Sequence, residues 1–106
     1  MAKNNEILDA SEKARLLRAV AFQAQRKQPV DEVLLGYVQG ELQRGRRKEY
    51  RPVMEALQEN GAVASMLALG LIGEETGILL SKIIEHKDHR LLADSLNALS
   101  DRWESA

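Results

Sequence analysis

Leu71-Ile72-Gly73-Glu74-Glu75-Thr76-Gly77-Ile78-Leu79-Leu80 joins two apolar segments through a pair of glycines four positions apart. Two carboxylates and a hydroxyl lie between those glycines. Glycine lets a helix stop, turn sharply or accept a closely packed neighbour. Adjacent acids are costly to bury unless they meet water, a cation or backbone donors. The stretch therefore reads as a turn between two helices, centred on Gly73 and Gly77, that presents Glu74 and Glu75. Aliphatic residues recur on both sides at spacings of three and four. No window keeps the period of two that a strand needs, so the chain is expected to be all-α.

Working outward, the helix entering the turn is predicted over Ala62 to Glu75, with Val63, Met66, Leu67, Leu69, Leu71 and Ile72. It is apolar nearly all round and carries no Lys or Arg, as a helix does when it is central or covered on a second side by a partner. The helix leaving the turn is predicted over Ile78 to Glu85, offering Leu79, Leu80, Ile83 and Ile84 to the interior. Asp88 is a plausible N-cap for a last helix, in which Leu92, Leu96, Leu99 and Trp103 recur at four, three and four. Toward the N-terminus, Asp9 and Glu12 resemble a capping box. They open a first helix, Ala10 to Lys27, with Leu17, Val20, Ala21 and Ala24 inward and a basic outer face of Lys13, Arg15, Arg18, Arg26 and Lys27.

Pro29 suits a helix start, where its missing N–H is not needed. Asp31 and Glu32 then complement the dipole of a second helix, Val30 to Gln43, striped by Val30, Val33, Leu34, Tyr37, Val38 and Leu42. Gly36 and Gly40 within it are expected to admit a neighbouring helix. A short third helix, Pro52 to Glu59, places Val53, Met54 and Leu57 inward and ends at Asn60-Gly61. The sum is a compact bundle of about six short helices. It forms one domain over 10–104 behind a flexible N-terminus at 1–9, with the first, fourth and sixth helices building the core.

With 106 residues, 44% apolar and 29% charged, the chain has an ordinary globular composition. It contains no cysteine, which excludes disulfide scaffolds, thiolate metal sites and cysteine nucleophiles. A net charge of -1 does not suit a dedicated nucleic-acid binder. The longest mostly apolar run, Ala62 to Ile72, is far short of the ~20 residues that cross a bilayer. No apolar segment follows the N-terminal residues, so no signal peptide is visible. These features predict a soluble, cytoplasmic domain.

Four features have a functional reading beside a plain one. Glu74 and Glu75 are weak candidates for holding a hard cation with carbonyls freed by the glycines, although one segment cannot supply calcium's six to eight oxygens. They could equally meet a basic partner surface, or simply be solvated. Arg44-Gly45-Arg46-Arg47-Lys48-Glu49-Tyr50-Arg51 is the one charge cluster. It reads as a dipole-matching loop after the second helix, or as an electropositive contact for an acidic partner or phospholipid headgroups. Nucleic acid is disfavoured because no aromatic stacking platform accompanies it. His86 and His89 have the i, i+3 spacing that can share a metal, but Asp88 between them is expected to start a helix and part them. Trp103 is expected to seal one end of the bundle rather than stand exposed. No nucleophile–base pair and no phosphate-cradling glycine loop are present, so no enzyme and no cofactor are expected.

The chain resembles the cytoplasmic domain of the type II secretion F / type IV pilus C family of inner-membrane platform proteins. Leu17-Arg18-Ala19-Val20-Ala21, ending in Pro29-Val30-Asp31-Glu32-Val33-Leu34, is similar to that family's first helix and its proline entry to the second. Val53-Met54-Glu55-Ala56-Leu57 resembles its third helix, and Leu71-Ile72-Gly73-Glu74-Glu75-Thr76-Gly77-Ile78-Leu79 its "G-E-x-S-G-x-L" turn, with Thr76 in the serine place. The resemblance implies a six-helix bundle acting as a non-enzymatic scaffold at the cytoplasmic face of the inner membrane. Its partners would be an assembly ATPase and other platform proteins, and the membrane would be reached only through partners or a missing anchor. Family members carry this domain twice, joined by membrane spans, so an excised domain or a free-standing relative is expected. The alternative is a free-standing, self-associating regulatory module, a homodimer built on the apolar fourth helix. On the platform reading Glu74 and Glu75 form one contact surface, and Arg44, Arg46, Arg47, Lys48 and Arg51 form a second of opposite sign.

Overall fold

A computed structural model describes residues 7–106. Six helices follow one another: α1 (Ala10–Gln25), α2 (Val30–Gln43), α3 (Arg47–Asn60), α4 (Ala62–Ala68), α5 (Glu74–Glu85) and α6 (His89–Glu104). No strand occurs among the described residues. The fold is an all-α bundle, as the periodicity predicted, and α2 has the bounds read from the sequence. Of the expected loose end, residues 1–6 lie outside the described residues. Leu8 is buried and Asp9 caps α1. The Asp9 carboxylate accepts from the Glu12 N–H at 2.8 Å, and the Glu12 carboxylate accepts from the Asp9 N–H at 2.9 Å. This closes the capping box and satisfies two donors that a helix start leaves free.

The main packing is α1 against α6, in antiparallel sense, since the first turns of α1 meet the last turns of α6. Small side chains let the two backbones approach: Ala14, Ala21 and Ala24 on α1, with Ala93 and Ser100 on α6, all buried. The buried Ser100 hydroxyl donates to the Ala14 carbonyl at 2.7 Å. Lys13, expected on the outer face, is only 2% exposed. It precedes Leu17 by one helical turn and so falls on the apolar stripe. Its Nζ lies 4.2 Å from the centre of the Trp103 ring, a cation–π contact that offsets part of the cost of burying a charge. Trp103 in turn donates its indole N–H to the Leu71 carbonyl at 3.0 Å. It thus closes one end of the bundle and ties α6 to the α4–α5 connection.

Four helix boundaries differ from expectation by two residues or more: the end of α1 (Gln25, not Lys27), the start of α3, the end of α4 and the start of α5 (Glu74, not Ile78). α3 begins at Arg47, five residues before Pro52, so the cluster expected in a loop supplies the first turns of a helix. The cause is tertiary. Tyr50, Val53 and Leu57 form one buried stripe across the proline. The Tyr50 hydroxyl lies 2.6 Å from that of Tyr37 on α2, the two rings meeting edge to face at 5.8 Å between centroids. Burial of this stripe outweighs the missing N–H of Pro52.

α4 ends at Ala68 rather than running to Glu75. The Gly70 N–H donates to the Leu67 carbonyl and the Leu71 N–H to the Met66 carbonyl, both at 3.0 Å. Gly70 has φ +75°. This is a Schellman ending, in which glycine takes the left-handed position. Leu69, Leu71 and Ile72 are then buried as connection, not as helix. The core draws on every helix, not chiefly on the first, fourth and sixth. It includes Leu34 and Val38 of α2, Tyr50 and Val53 of α3, and Leu80 of α5. Gly36 and Gly40 do not admit a neighbour, since a Cβ at either would meet nothing within 4 Å.

Burial raises the pKa of both Tyr37 and Tyr50, most strongly for Tyr50. In the unfolded chain both ionise near the ordinary value of about 10. The folded state holds their protons to higher pH, so this stability is fully present below pH 10 and is lost as pH rises above it. Unfolding free energies from denaturant titrations at pH 8 to 11.5 are expected to fall beyond pH 10, by up to about 1.4 kcal/mol per pH unit for the fully buried Tyr50. The Tyr37→Phe/Tyr50→Phe double variant is expected to show a shallower decline.

Candidate interaction surface

The Gly73–Gly77 stretch that the sequence marked as a turn is the beginning of α5. Gly73 occupies the N-cap with extended backbone (φ -90°, ψ 176°), and its carbonyl accepts from the Gly77 N–H at 2.9 Å. Glu74 and Glu75 fill the first turn, where acids complement the positive end of the helix dipole. Both are exposed. Gly77 is the close-approach glycine of this pair of helices. A Cβ on it would stand 3.2 Å from Val63 Cγ1 of α4, with Ile72 Cδ1 and Leu67 Cδ1 each at 3.7 Å.

Among the described residues, the helices whose backbones approach α5 are α4 and α6. Of its twelve residues just Gly77 and Leu80 are buried. Ile78 and Leu79 are 60% and 62% exposed, and the adjoining Leu67 is 37% exposed. The sequence placed Leu79 inward, yet it projects outward. Ile83 and Ile84 are half-buried, so the inward side of α5 is supplied by Gly77, Leu80, Ile83 and Ile84. Because Gly77 has no side chain, an open groove of about 340 Å³ runs between α4 and α5, lined by Val63, Leu67, Glu74, Gly77, Ile78 and Ser81. Acids at the head of an outward apolar ridge are thus the chemistry this face offers.

The basic cluster divides into two parts. Arg46 and Arg44 converge on Glu41, whose side chain is 12% exposed, at 3.1 and 3.3 Å. Arg46 also donates to the Ile7 carbonyl at 3.4 Å and lies over the Tyr50 ring at 5.1 Å. Its charge is spent within the fold. Arg47, Lys48 and Arg51 are exposed on the first turns of α3. Arg47 and Arg51 border a groove of about 450 Å³ between α2 and α3, with Leu42, Gln43, Met54, Glu55 and Gln58. The acidic and basic residues are not brought together, since α5 lies against α4 and α6 while α3 lies against α2 and α4.

Pro29 is the N-cap of α2, its carbonyl accepting from the Glu32 and Val33 N–H groups at 3.1 Å. His86 is the C-cap of α5 and His89 the first residue of α6, on either side of Asp88, whose carboxylate accepts from the Leu91 N–H at 3.0 Å. Among the described residues no group of three or more His, Asp or Glu could hold a metal ion. No helix among them is long and apolar enough to cross a membrane. Comparison with protein families, curated proteins and solved structures finds no match.

The two kinds of glycine are separable by mutation. Gly77→Val is expected to destabilise the fold by about 1–3 kcal/mol, because the added branch overlaps the stiff Val63. Gly36→Ala, at an exposed helix-interior site with open space, is expected to stabilise it by up to about 1 kcal/mol. Urea unfolding of both variants checks the pair.

Proposed function

We propose that the chain is a non-enzymatic protein-docking module whose binding face is the outward side of α5 with its acidic first turn. The supporting observation is the exposure of Ile78 and Leu79 on a helix with only two buried residues. Adjacent exposed aliphatics beside an apolar groove, rimmed by charge, are what a protein interface requires: a hydrophobic centre and a polar border. Glu74 and Glu75 select and steer a basic partner more than they add affinity. A scaffold role beside an assembly ATPase and inner-membrane platform proteins, at the cytoplasmic face, is the specific form of this reading, and the three ordered motifs of the sequence support it.

Affinity capture from cytoplasm and membranes tests the proposal, with the wild-type chain and an Ile78→Asp/Leu79→Asp variant as baits. Both sites are already in water, so the variant is expected to keep its circular dichroism and melting temperature. The variant is expected to lose at least tenfold in recovery of the partner that the wild type retains. Equal recovery by the two baits would overturn the docking role of α5. A motor ATPase or platform protein among the α5-dependent partners would support the secretion or pilus form.

A further inference from the structure

α5 carries a charge sequence that a second surface of the same molecule complements. Glu74, Ile78 and Lys82 stand at i, i+4 and i+8 and so share one face, flanked by Glu75 and Leu79. Read along the helix, this face runs acid, apolar, base over eight residues, about 12 Å. The α2–α3 groove is bordered along α3 by Arg47, Arg51, Met54 and Glu55, with Leu42 of α2 opposite. Read in the same direction, it runs base, apolar, acid over the same eight residues. Among the described residues, none of Glu74, Glu75, Lys82, Arg47, Arg51 and Glu55 is engaged in an ion pair within the chain.

We infer that α5 of one copy docks lengthwise in the α2–α3 groove of a second copy, so that the chain self-associates head to tail. This rests on the reading of α5 as a docking face and names a second copy as its partner. With the two helices side by side and pointing the same way, Glu74 and Glu75 meet Arg47 and Arg51. Ile78 and Leu79 cover Leu42 and Met54, and Lys82 meets Glu55. The reversed orientation would set Glu74 on Glu55 and Lys82 on Arg47, like against like, which fixes the direction of docking.

A molecule cannot fill its own groove. The C-terminal end of α5 lies near the start of α2, where Ile83 and Ile84 share a pocket with Pro29, Val30 and Asp31. The groove lies at the opposite end of α2, about 20 Å away along a 14-residue helix. Because the two patches differ, the contact is heterologous. It closes as a ring or a reciprocal pair, or continues as a chain. One helix in an open groove is smaller than the ~1,200 Å² of a standard stable interface, so the association is weak and concentration-dependent.

Static light scattering over a protein and salt concentration series tests this. The wild type is expected to gain weight-average mass with protein concentration and to lose it as salt screens the charges. Glu74→Lys/Glu75→Lys and Arg47→Glu/Arg51→Glu are each expected to stay monomeric alone, since each sets like charges across the contact. An equimolar mixture of the two is expected to recover the wild-type mass increase, because both reversed and native pairings then become available. A wild type that stays monomeric throughout, or variants that each associate as the wild type does, would overturn self-docking. In that case an α5-dependent partner in the capture experiment would still sustain the docking face itself.

Discussion

The buried ammonium of Lys13 against Trp103 is the contact on which the arrangement of this bundle depends. It joins three parts of the chain far apart in sequence: the first turn of α1, the last turn of α6 and the connection after α4. Gly70 belongs to the same junction, since a Cβ there would lie 3.5 Å from Lys13 Nζ. A charge this deep is tolerated only where its surroundings hold it in one geometry. Here they include the indole face, while the indole N–H is engaged by the Leu71 carbonyl. Ser100 on Ala14 repeats the α1–α6 link one turn away. On the surface, Arg18 reaches Asp101 at 2.9 Å and Glu104 at 3.1 Å, adding alignment and little energy because all three side chains are solvated.

The position of α5 follows from that junction. With Leu69, Leu71 and Ile72 buried and Leu71 hydrogen-bonded to Trp103, the chain must leave the core at Gly73 before it can form another helix. α5 therefore starts at the rim of the bundle, leans on α4 through Gly77, and inserts Leu80. Its remaining apolar positions exceed what two neighbours can cover. The exposed Ile78 and Leu79 are the consequence of a strongly apolar helix placed where the core is already filled.

Much of this was legible in the sequence. The 3.6-residue stripes identified all six helices, and the Asp9/Glu12 box, Pro29 and Asp88 marked three starts, because caps depend on local hydrogen bonds that a few residues specify. Part of what failed depended on contacts between distant segments, and part on local signals that the apolar pattern or a charge masked. The start of α3 was obscured by Pro52, whose local preference lost to the burial of Tyr50 against Tyr37. The end of α4 was obscured because Leu69, Leu71 and Ile72 continue a helical pattern past Gly70, the residue that ends the helix. Lys13 was assigned outward by its charge, although its spacing to Leu17 placed it on the stripe. The sequence read Glu74 and Glu75 as presented outward, and both are exposed. The outward turn of Leu79 was not legible, because an amphipathic pattern with five aliphatics in seven positions does not say which ones find neighbours.

The central claim is that a core closed by the α1–α6 junction carries α5 as a thinly held, outward-facing helix. Amide hydrogen exchange on the isolated protein at low concentration tests it most directly, since opening free energies report how each helix is tied to the core. Amides of α1 and α6 are expected to exchange only through global unfolding, with those of α5 at least tenfold less protected. Protection in α5 equal to that in α1 and α6 would contradict the claim, because it would show a helix integrated into the core rather than presented by it.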